Sequence, residues 1–510
     1  MAILLDGSSL TLEQLAAIAD AGAEAQLAPA AARRVGAARA VVDRMAAGDA
    51  PVYGINTGFG SLAEVRIARD ALSELQVNLL RSHASGVGDP LPVRAVRAAT
   101  ALRANVLAKG FSGCRLETVE ALLALLNRRV HPRVPSRGSV GASGDLAPLA
   151  HLALVLIGEG EAIAEDDSVI PGAQALARAG LQPIALQAKE GLALINGTQP
   201  SAAVLALAVL DAQRLARAAD IVAALSVDAL RGSFHPFEAR IHEARPYPGQ
   251  QAAAANLFAL LQNSAINRSH EHCGTVQDAY SLRCAAQVHG AAREAIVFAA
   301  RIAAIEANAA TDNPMVFATG GEAEGDIVSG GNFHGAPVAV AADALAIGVV
   351  QLASISERRA DRLMNTTLSG LPAFLTRDGG LHSGYMMSQV AAAALVSEMK
   401  TVAHPASVDT IPTSANREDH VSMSMYAALK AAHAVALARQ VLAIELMCAA
   451  QGIDLLAPLE TAPPLTRAHA LVRSRVAPLE RDRPPAPDIA AIDALIADGS
   501  LERACGVDVK

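Results

Sequence analysis

Tryptophan is absent from the 510 residues, and aromatic residues together make up only 3%. In a chain that is 52% hydrophobic, alanine and leucine must therefore supply most of the buried surface. Alanine is the best helix former, and its small side chain lets helices approach closely. Cysteine is scarce as well: Cys114, Cys273, Cys284, Cys448 and Cys505 are scattered, odd in number and form no CxxC pair. This excludes a zinc cluster or a disulfide framework and points to a reducing, cytoplasmic compartment. Basic residues are in deficit, with 42 Lys and Arg against 50 Asp and Glu for a net charge of −8. A nucleic-acid partner, which wants a basic face, is not expected.

Long uninterrupted apolar runs are lacking too. Mean hydropathy is +0.30, but a membrane-spanning helix needs about 20 predominantly apolar residues. Residues 146–157 are interrupted by Pro148 and His151, residues 202–210 stop at Asp211, and residues 336–353 carry Asp343. No membrane span is expected; helices enclosed on all sides within an oligomer account for the hydropathy. No secretory signal is expected either, because Asp6 follows the apolar residues 1–5 with no basic region before them.

What is present divides into two parts. Residues 1–200 are broken often by glycine and proline, and read as a helix-and-loop domain with a small hairpin near residues 162–169. Thr11-Leu-Glu-Gln14 has the form of a capping box opening the first helix. Residues 201–510 read as a second domain of long helices over residues 202–230, 284–309, 337–364, 383–402 and 421–452, with a short amphipathic helix near residues 488–501. Rods of this length form a bundle. The expected fold is thus mainly all-α, a long helical bundle preceded by an N-terminal helix-and-loop region.

The most informative segment is Pro135-Ser-Arg-Gly-Ser-Val-Gly-Ala-Ser-Gly-Asp-Leu-Ala-Pro-Leu-Ala-His151. It reads as a Gly/Ser loop ahead of a helix that starts after Asp145. A serine-hydrolase elbow requires G-x-S-x-G after a strand, and Gly141-Ala-Ser143-Gly-Asp145 misses the last glycine. A phosphate loop requires a Gly-Lys pair that is not there. Ala142-Ser143-Gly144 has another capability. The Gly144 amide nitrogen can attack the Ala142 carbonyl; with the loss of two waters Ser143 becomes an exocyclic methylidene on an imidazolone. Such an electrophile draws out a poor amine leaving group, which no ordinary side chain does.

This segment resembles the signature of the histidine/phenylalanine ammonia-lyase family, whose prosthetic group, 4-methylidene-imidazol-5-one, forms from Ala-Ser-Gly. The resemblance runs from about Thr11 to Ser500 and assigns further residues by their motifs. Val52-Tyr-Gly-Ile-Asn-Thr-Gly-Phe-Gly60 resembles the family's tyrosine loop, which makes Tyr53 the base for the β-proton; alone, it reads as a packed loop tyrosine. Gln187-Ala-Lys-Glu-Gly-Leu-Ala-Leu-Ile-Asn-Gly-Thr-Gln199 resembles the Asn-Gly-Thr motif, with Asn196 on the ring oxygen and substrate amine; alone, it is a glycosylation sequon or an Asn-Gly turn. Val276-Gln-Asp-Ala-Tyr-Ser-Leu-Arg-Cys284 resembles the stretch in which Arg283 grips the substrate carboxylate, Tyr280 assists proton transfer and Gln277 orients the substrate. Their spacing would place them on one helix face, which is also the pattern of a solvated face.

Ser329-Gly-Gly-Asn-Phe-His334 resembles the loop that packs Phe333 near the electrophile, or an ordinary Gly-Gly turn. Ser414-Ala-Asn-Arg-Glu-Asp-His-Val-Ser422 resembles a C-terminal motif of the histidine branch, with Glu418 facing the substrate ring; a charged helix start has the same look. Asn308 and Asn313 read as structural. His83, in Arg81-Ser-His-Ala-Ser-Gly-Val-Gly88, resembles the Ser-His pair of that branch, or a satisfied core histidine.

A carboxylate at Glu418 favours an imidazole, whose N–H it accepts, over a phenyl ring that would leave it unpaired. The resemblance implies conversion of L-histidine to trans-urocanate and ammonia, with no diffusible cofactor and no metal. It also implies a homotetramer whose active sites draw residues from three subunits. Two other readings are a tyrosine or phenylalanine lyase or aminomutase of the same family, and a non-catalytic helical scaffold. Two positions depart from the histidine branch: Arg417 stands where Gln is usual and Ala286 where Pro is usual. A cation beside Glu418 bears on substrate preference, whereas Ala286 alters only local helix geometry.

Overall fold

The computed structural model describes every residue except 1, 63, 272, 275 and 320–322. About 59% of the chain is helical, and strands are few and short, so the fold is all-α. The long rods fall where the alanine-rich stretches predict: Gln199–Ala229, Ala285–Glu306, Ala336–Met364, Met386–Val402 and Ser424–Leu455. The first helix, Leu12–Ala19, opens with the expected box, Thr11 accepting from the Gln14 amide and the Gln14 side chain returning to the Thr11 amide. The expected hairpin is present as antiparallel Glu161–Ile163 and Val169–Pro171, with His131–Pro132 paired on its other side. The tail folds as two short helices, Ala486–Ala497 and Ser500–Cys505, because Gly499 takes a left-handed φ of 73° between them.

The chain divides into two compact units, and their boundary differs from a single cut at residue 200. The first unit comprises residues 1–207, 300–343 and 405–429; the second comprises 208–299, 344–404 and 430–510. The reason is helix length. Helices Gln199–Ala229, Ala285–Glu306, Ala336–Met364 and Ser424–Leu455 each begin in one unit and end in the other. Segments far along the sequence are thereby returned to the N-terminal unit, including both candidate loops near Phe333 and Glu418.

Ala336–Met364 and Ser424–Leu455 are long and apolar enough to cross a membrane by length and composition, and the apolar stretch of each is mostly buried within the protein. The first unit also carries small sheets. Ile3–Leu5 pairs in parallel with Ala25–Leu27, and Val87–Pro90 runs antiparallel to Pro135–Arg137, which fixes the entry to the Gly/Ser loop.

The second unit buries a chain of ionic groups. Arg359 Nε donates to Glu445 Oε1 at 2.5 Å, Ser226 donates to the same oxygen at 2.6 Å, and Arg359 Nη1 stands 3.4 Å from His289 Nε2. His289 Nδ1 in turn donates to Asp220 Oδ1 at 2.7 Å, and Arg293 donates to Asp220 Oδ2 at 2.5 Å. Arg359 and Glu445 are both 0% exposed, so removing one partner strands the other charge away from water. Glu445→Gln is expected to destabilise the protein by about 3–5 kcal/mol, read as a lower denaturant midpoint at unchanged slope. A loss below about 1 kcal/mol would mean the pair only balances its own desolvation.

Candidate active site

The Gly/Ser loop is shaped by glycines that nothing else can replace. Gly141 has φ +66°, and a Cβ there would lie 2.3 Å from the hydroxyls of both Ser422 and Ser424. Gly144 has φ +71°, and a Cβ there would lie 2.2 Å from the Gly197 carbonyl oxygen. Both the left-handed backbone and the close approach demand glycine. The tripeptide between them is gripped at each end. On one side, Gly141 O accepts from Ser422 Oγ at 2.8 Å and from Gly335 N at 3.2 Å, while Val140 O accepts from Met423 N at 2.8 Å. On the other, the Asp145 amide donates to Gly197 O at 2.8 Å.

Asp145 does more than precede the helix Leu146–Leu156. Its Oδ1 accepts from Ser139 Oγ at 2.7 Å, and its Oδ2 accepts from the Ser201 amide at 2.8 Å, in the first turn of Gln199–Ala229. A carboxyl at a helix N-terminus satisfies an amide that has no partner within the helix. Burial nonetheless pushes the Asp145 carboxyl above its ordinary value.

Ser143 is half-buried at the edge of this loop. Its hydroxyl donates to Glu418 Oε1 at 2.8 Å, and its carbonyl accepts from Asn196 Nδ2 at 2.9 Å. Glu418 is held by Thr413, whose hydroxyl donates to Oε2 at 2.6 Å and whose backbone pairs with that of Glu418. Between them Ser414, Ala415 and Asn416 all have φ of 52–66°. Three non-glycine residues in the left-handed region store strain of order 1 kcal/mol each.

Tyr53 and His83 lie in the field of Glu418. Burial is the main force raising the Tyr53 phenol above its ordinary value; Glu418 adds to it, while the Gly60 amide and the Arg417 guanidinium oppose it. Burial likewise lowers His83, against the pull of the Leu79 carbonyl and Glu418. His83 Nδ1 lies 2.9 Å from Leu79 O, at the end of the helix Leu72–His83. With Nδ1 donating there, Nε2 of the neutral ring is left as an acceptor. Phe333 lies two residues before the Gly335 amide that holds Gly141, which ties its loop to the tripeptide.

Gln277, Tyr280 and Arg283 belong to the second unit and form a cluster of their own. Arg283 lies over the Tyr280 ring at 4.5 Å and donates to Gln277 Oε1 at 3.1 Å and to Asp278 O at 3.0 Å. The helix here covers only Tyr280–Arg283. Gln277 lies before it in a bend, so the three meet because the guanidinium folds back, rather than through helical spacing.

Thr413, Ser139, Asp145 and Ser422 hold the site together but were not singled out from the sequence. Short polar residues in loops carry no signal until their partners are known. Ala142 and Gly144 are buried, and Asn196 Oδ1 is buried with no hydrogen-bond partner among the described residues, beside the carbonyl that its own amide holds. A buried amide oxygen in that place is able to accept one more N–H. Among the described residues no group of three or more His, Cys, Asp or Glu is placed to hold a metal ion.

The sequence model of a family described as aromatic amino acid lyase matches residues 10–474. A histidine ammonia-lyase of Anaeromyxobacter sp. (strain K) is 58% identical over 98% of this chain and 99% of its own. That of Myxococcus xanthus is 55% identical over 98% of this chain and 97% of its own. Among solved structures, histidine ammonia-lyase from Trypanosoma cruzi superposes with a TM-score of 0.92 at 47% identity, covering 99% of this chain and 95% of that one. A tyrosine aminomutase from Streptomyces globisporus gives 0.94 at 36% identity over the whole of both chains.

Proposed function

The chain belongs to the aromatic amino acid lyase family, and from that premise we propose that it deaminates L-histidine to trans-urocanate and ammonia, the opening step of histidine breakdown toward glutamate. The observation that carries this reading is the Glu418 carboxylate 2.8 Å from the Ser143 hydroxyl, with Tyr53 and His83 in its field. A carboxylate beside the reactive serine, with a neutral imidazole acceptor in its field, suits a substrate ring with an N–H to donate.

In this reading Ala142, Ser143 and Gly144 form 4-methylidene-imidazol-5-one. A bond joins Gly144 N to the Ala142 carbonyl carbon. One water takes the Ala142 oxygen with the Ser143 and Gly144 amide hydrogens; the second takes the Ser143 hydroxyl and its Cα hydrogen. The ring supplies the electron sink that an amine leaving group needs. The side chains do the rest. Arg283 binds the substrate carboxylate through a guanidinium suited to bidentate contact, and Gln277 and Tyr280 beside it orient the substrate and assist proton transfer. Asn196 takes the substrate amine on its orphaned Oδ1, Phe333 packs near the reacting centre, and Tyr53 removes the β-proton. No diffusible cofactor and no metal enter this scheme.

The enzyme is proposed to act in the cytoplasm as a homotetramer with shared active sites. The apolar side chains left at the surface support assembly: Val276 is 95% exposed and Tyr280 71%.

Near-UV absorbance with L-histidine, L-tyrosine and L-phenylalanine in separate trials tests the proposal. The expected result is a rise with histidine alone. A rise only with an aromatic substrate keeps the lyase chemistry but overturns the role given to Glu418 and His83, and no rise with any of the three withdraws the reaction. Glu418→Gln is expected to lower kcat/KM for histidine at least about tenfold, the cost of exchanging a charged hydrogen bond for a neutral one. An unchanged value would remove Glu418 from substrate recognition.

A further inference from the structure

Behind the tripeptide lies a second buried layer that the proposed chemistry does not touch. The helix Glu190–Ile195 is buried throughout and runs directly into Asn196 and Gly197. At its first turn the Gly191 amide donates to Gln76 Oε1 at 2.9 Å. Its last carbonyls have no partners within the helix, and away from water each needs a donor. Arg103, from the helix Val93–Ala108, supplies them. Its side chain is 0% exposed; Nε donates to Ala193 O at 2.9 Å, Nη2 donates to the same oxygen, and Nη1 donates to Asn196 O at 2.8 Å and to Gln199 Oε1 at 2.7 Å. Gln199 Nε2 continues the chain to Thr311 Oγ1 at 2.7 Å. Asp312 Oδ2 stands 3.9 Å from Arg103 and 3.4 Å from Lys189, which opens the same short helix.

Gly197 is pressed between this layer and the reactive loop. A Cβ on Gly197 would lie 2.5 Å from Gln199 Oε1, 2.6 Å from Arg103 Nη1 and 2.8 Å from Thr311 Oγ1. On its other side the Gly197 carbonyl receives the Asp145 amide, and a Cβ on Gly144 would meet that same carbonyl oxygen at 2.2 Å. The order is therefore Arg103 cluster, Gly197, Gly144, with no space between successive members.

We propose that Arg103 is a positioning residue for ring formation: its guanidinium fixes Asn196 and Gly197 as a rigid wall that holds Gly144 in place and aims the Asn196 amide at the Ser143 carbonyl. The inference rests on the reading that Ala142-Ser143-Gly144 cyclises. A planar fork of five donors meets two carbonyls and an amide oxygen at once, and a lysine ammonium, one point of charge on a flexible stem, does not. Arg103 acts through Asn196 and Gly197 and does not touch the reacting atoms.

The test compares Arg103→Lys, Gln199→Leu and the unmodified protein by intact mass, melting temperature and steady-state kinetics. Arg103→Lys keeps the charge beside Asp312, and Gln199→Leu removes one acceptor of the clamp. In both, the fraction of chains lighter by two waters is expected to fall several-fold relative to the unmodified protein, with a larger drop for Arg103→Lys. The chains that do mature are expected to show lower kcat at nearly unchanged KM. A merely structural arginine would lower the melting temperature and leave the matured fraction of folded protein alone; that result, or full maturation in both variants, overturns the proposal. If Arg103→Lys fails to fold, Gln199→Leu decides, and if neither folds the proposal is withdrawn. An unmodified protein that lacks the two-water deficit would instead defeat the cyclisation reading itself.

Discussion

Ser143→Ala is expected to lower kcat/KM by at least about 10⁴-fold, the scale on which removal of the central reactive group acts in enzymes whose side chains work as a unit. Without the hydroxyl the second dehydration cannot occur, so the chain can be at most one water lighter than its sequence mass. No other side chain in the site replaces an electron sink. The fold should survive. Relative to the uncyclised chain Glu418 Oε1 loses the Ser143 donor while Oε2 keeps Thr413, and the cyclised protein has already given that hydroxyl up as water. Glu418 is half-buried, so water can take the vacated place and the stability cost should stay near 1 kcal/mol. Product absorbance, intact mass and melting temperature on one preparation check all three statements. Activity within tenfold of the unmodified protein would show that the reaction does not pass through this tripeptide.

Tyr53→Phe is expected to cost about 10²–10⁴-fold in kcat/KM, the contribution of a positioned general base. The acting form is the phenolate, and the phenol is held above its ordinary value, chiefly by burial and secondarily by Glu418. Phenolate is therefore scarce at neutral pH, and kcat/KM should climb by about tenfold per pH unit toward alkaline pH. The groups that set this limb are Glu418, Arg417 and the Gly60 amide. Arg417→Gln removes a charge that favours the phenolate, so the alkaline limb should move to higher pH. On the acid side burial lowers His83, so the ring stays neutral through the ordinary histidine range and its protonation should steepen the fall in activity only below it. A flat profile from neutral to alkaline pH, or a Tyr53→Phe variant within tenfold of the unmodified protein, would exclude Tyr53 as the base.

Much of the architecture was legible because helix formation is a local property. Alanine-rich stretches tens of residues long announce themselves, and the ends predicted for Gln199–Ala229 and Ala336–Met364 lie within a few residues of those observed. Gly141 and Gly144 stood out for the same reason: a backbone that must turn through left-handed φ is written in the residues that make the turn. The spacing of Gln277, Tyr280 and Arg283 misled where it stood in for contact. Those residues meet through a folded-back guanidinium, and the helix begins only at Tyr280.

The domain boundary failed to show itself for a related reason. Composition changes near residue 200, but compactness depends on which segments return, and residues 300–343 and 405–429 return to the first unit. Arg103 was passed over as well. Arg103 shares the helix Val93–Ala108 with Arg94 and Arg97, so it carries a signal only if one asks what its buried charge is paired with, and its partners lie 90 and 93 residues away.

The sequence by itself determined the helical class, the family and the tripeptide able to become an electrophile, since each depends on residues that are neighbours in the chain. Only the tertiary structure decided that Glu418 stands on Ser143 across 275 residues, that Gly197 is the wall behind Gly144, and that a buried guanidinium holds that wall. Contacts of that range are selected by the packing of whole helices, where close-packed side chains and satisfied backbone groups leave one arrangement, and no local pattern encodes them.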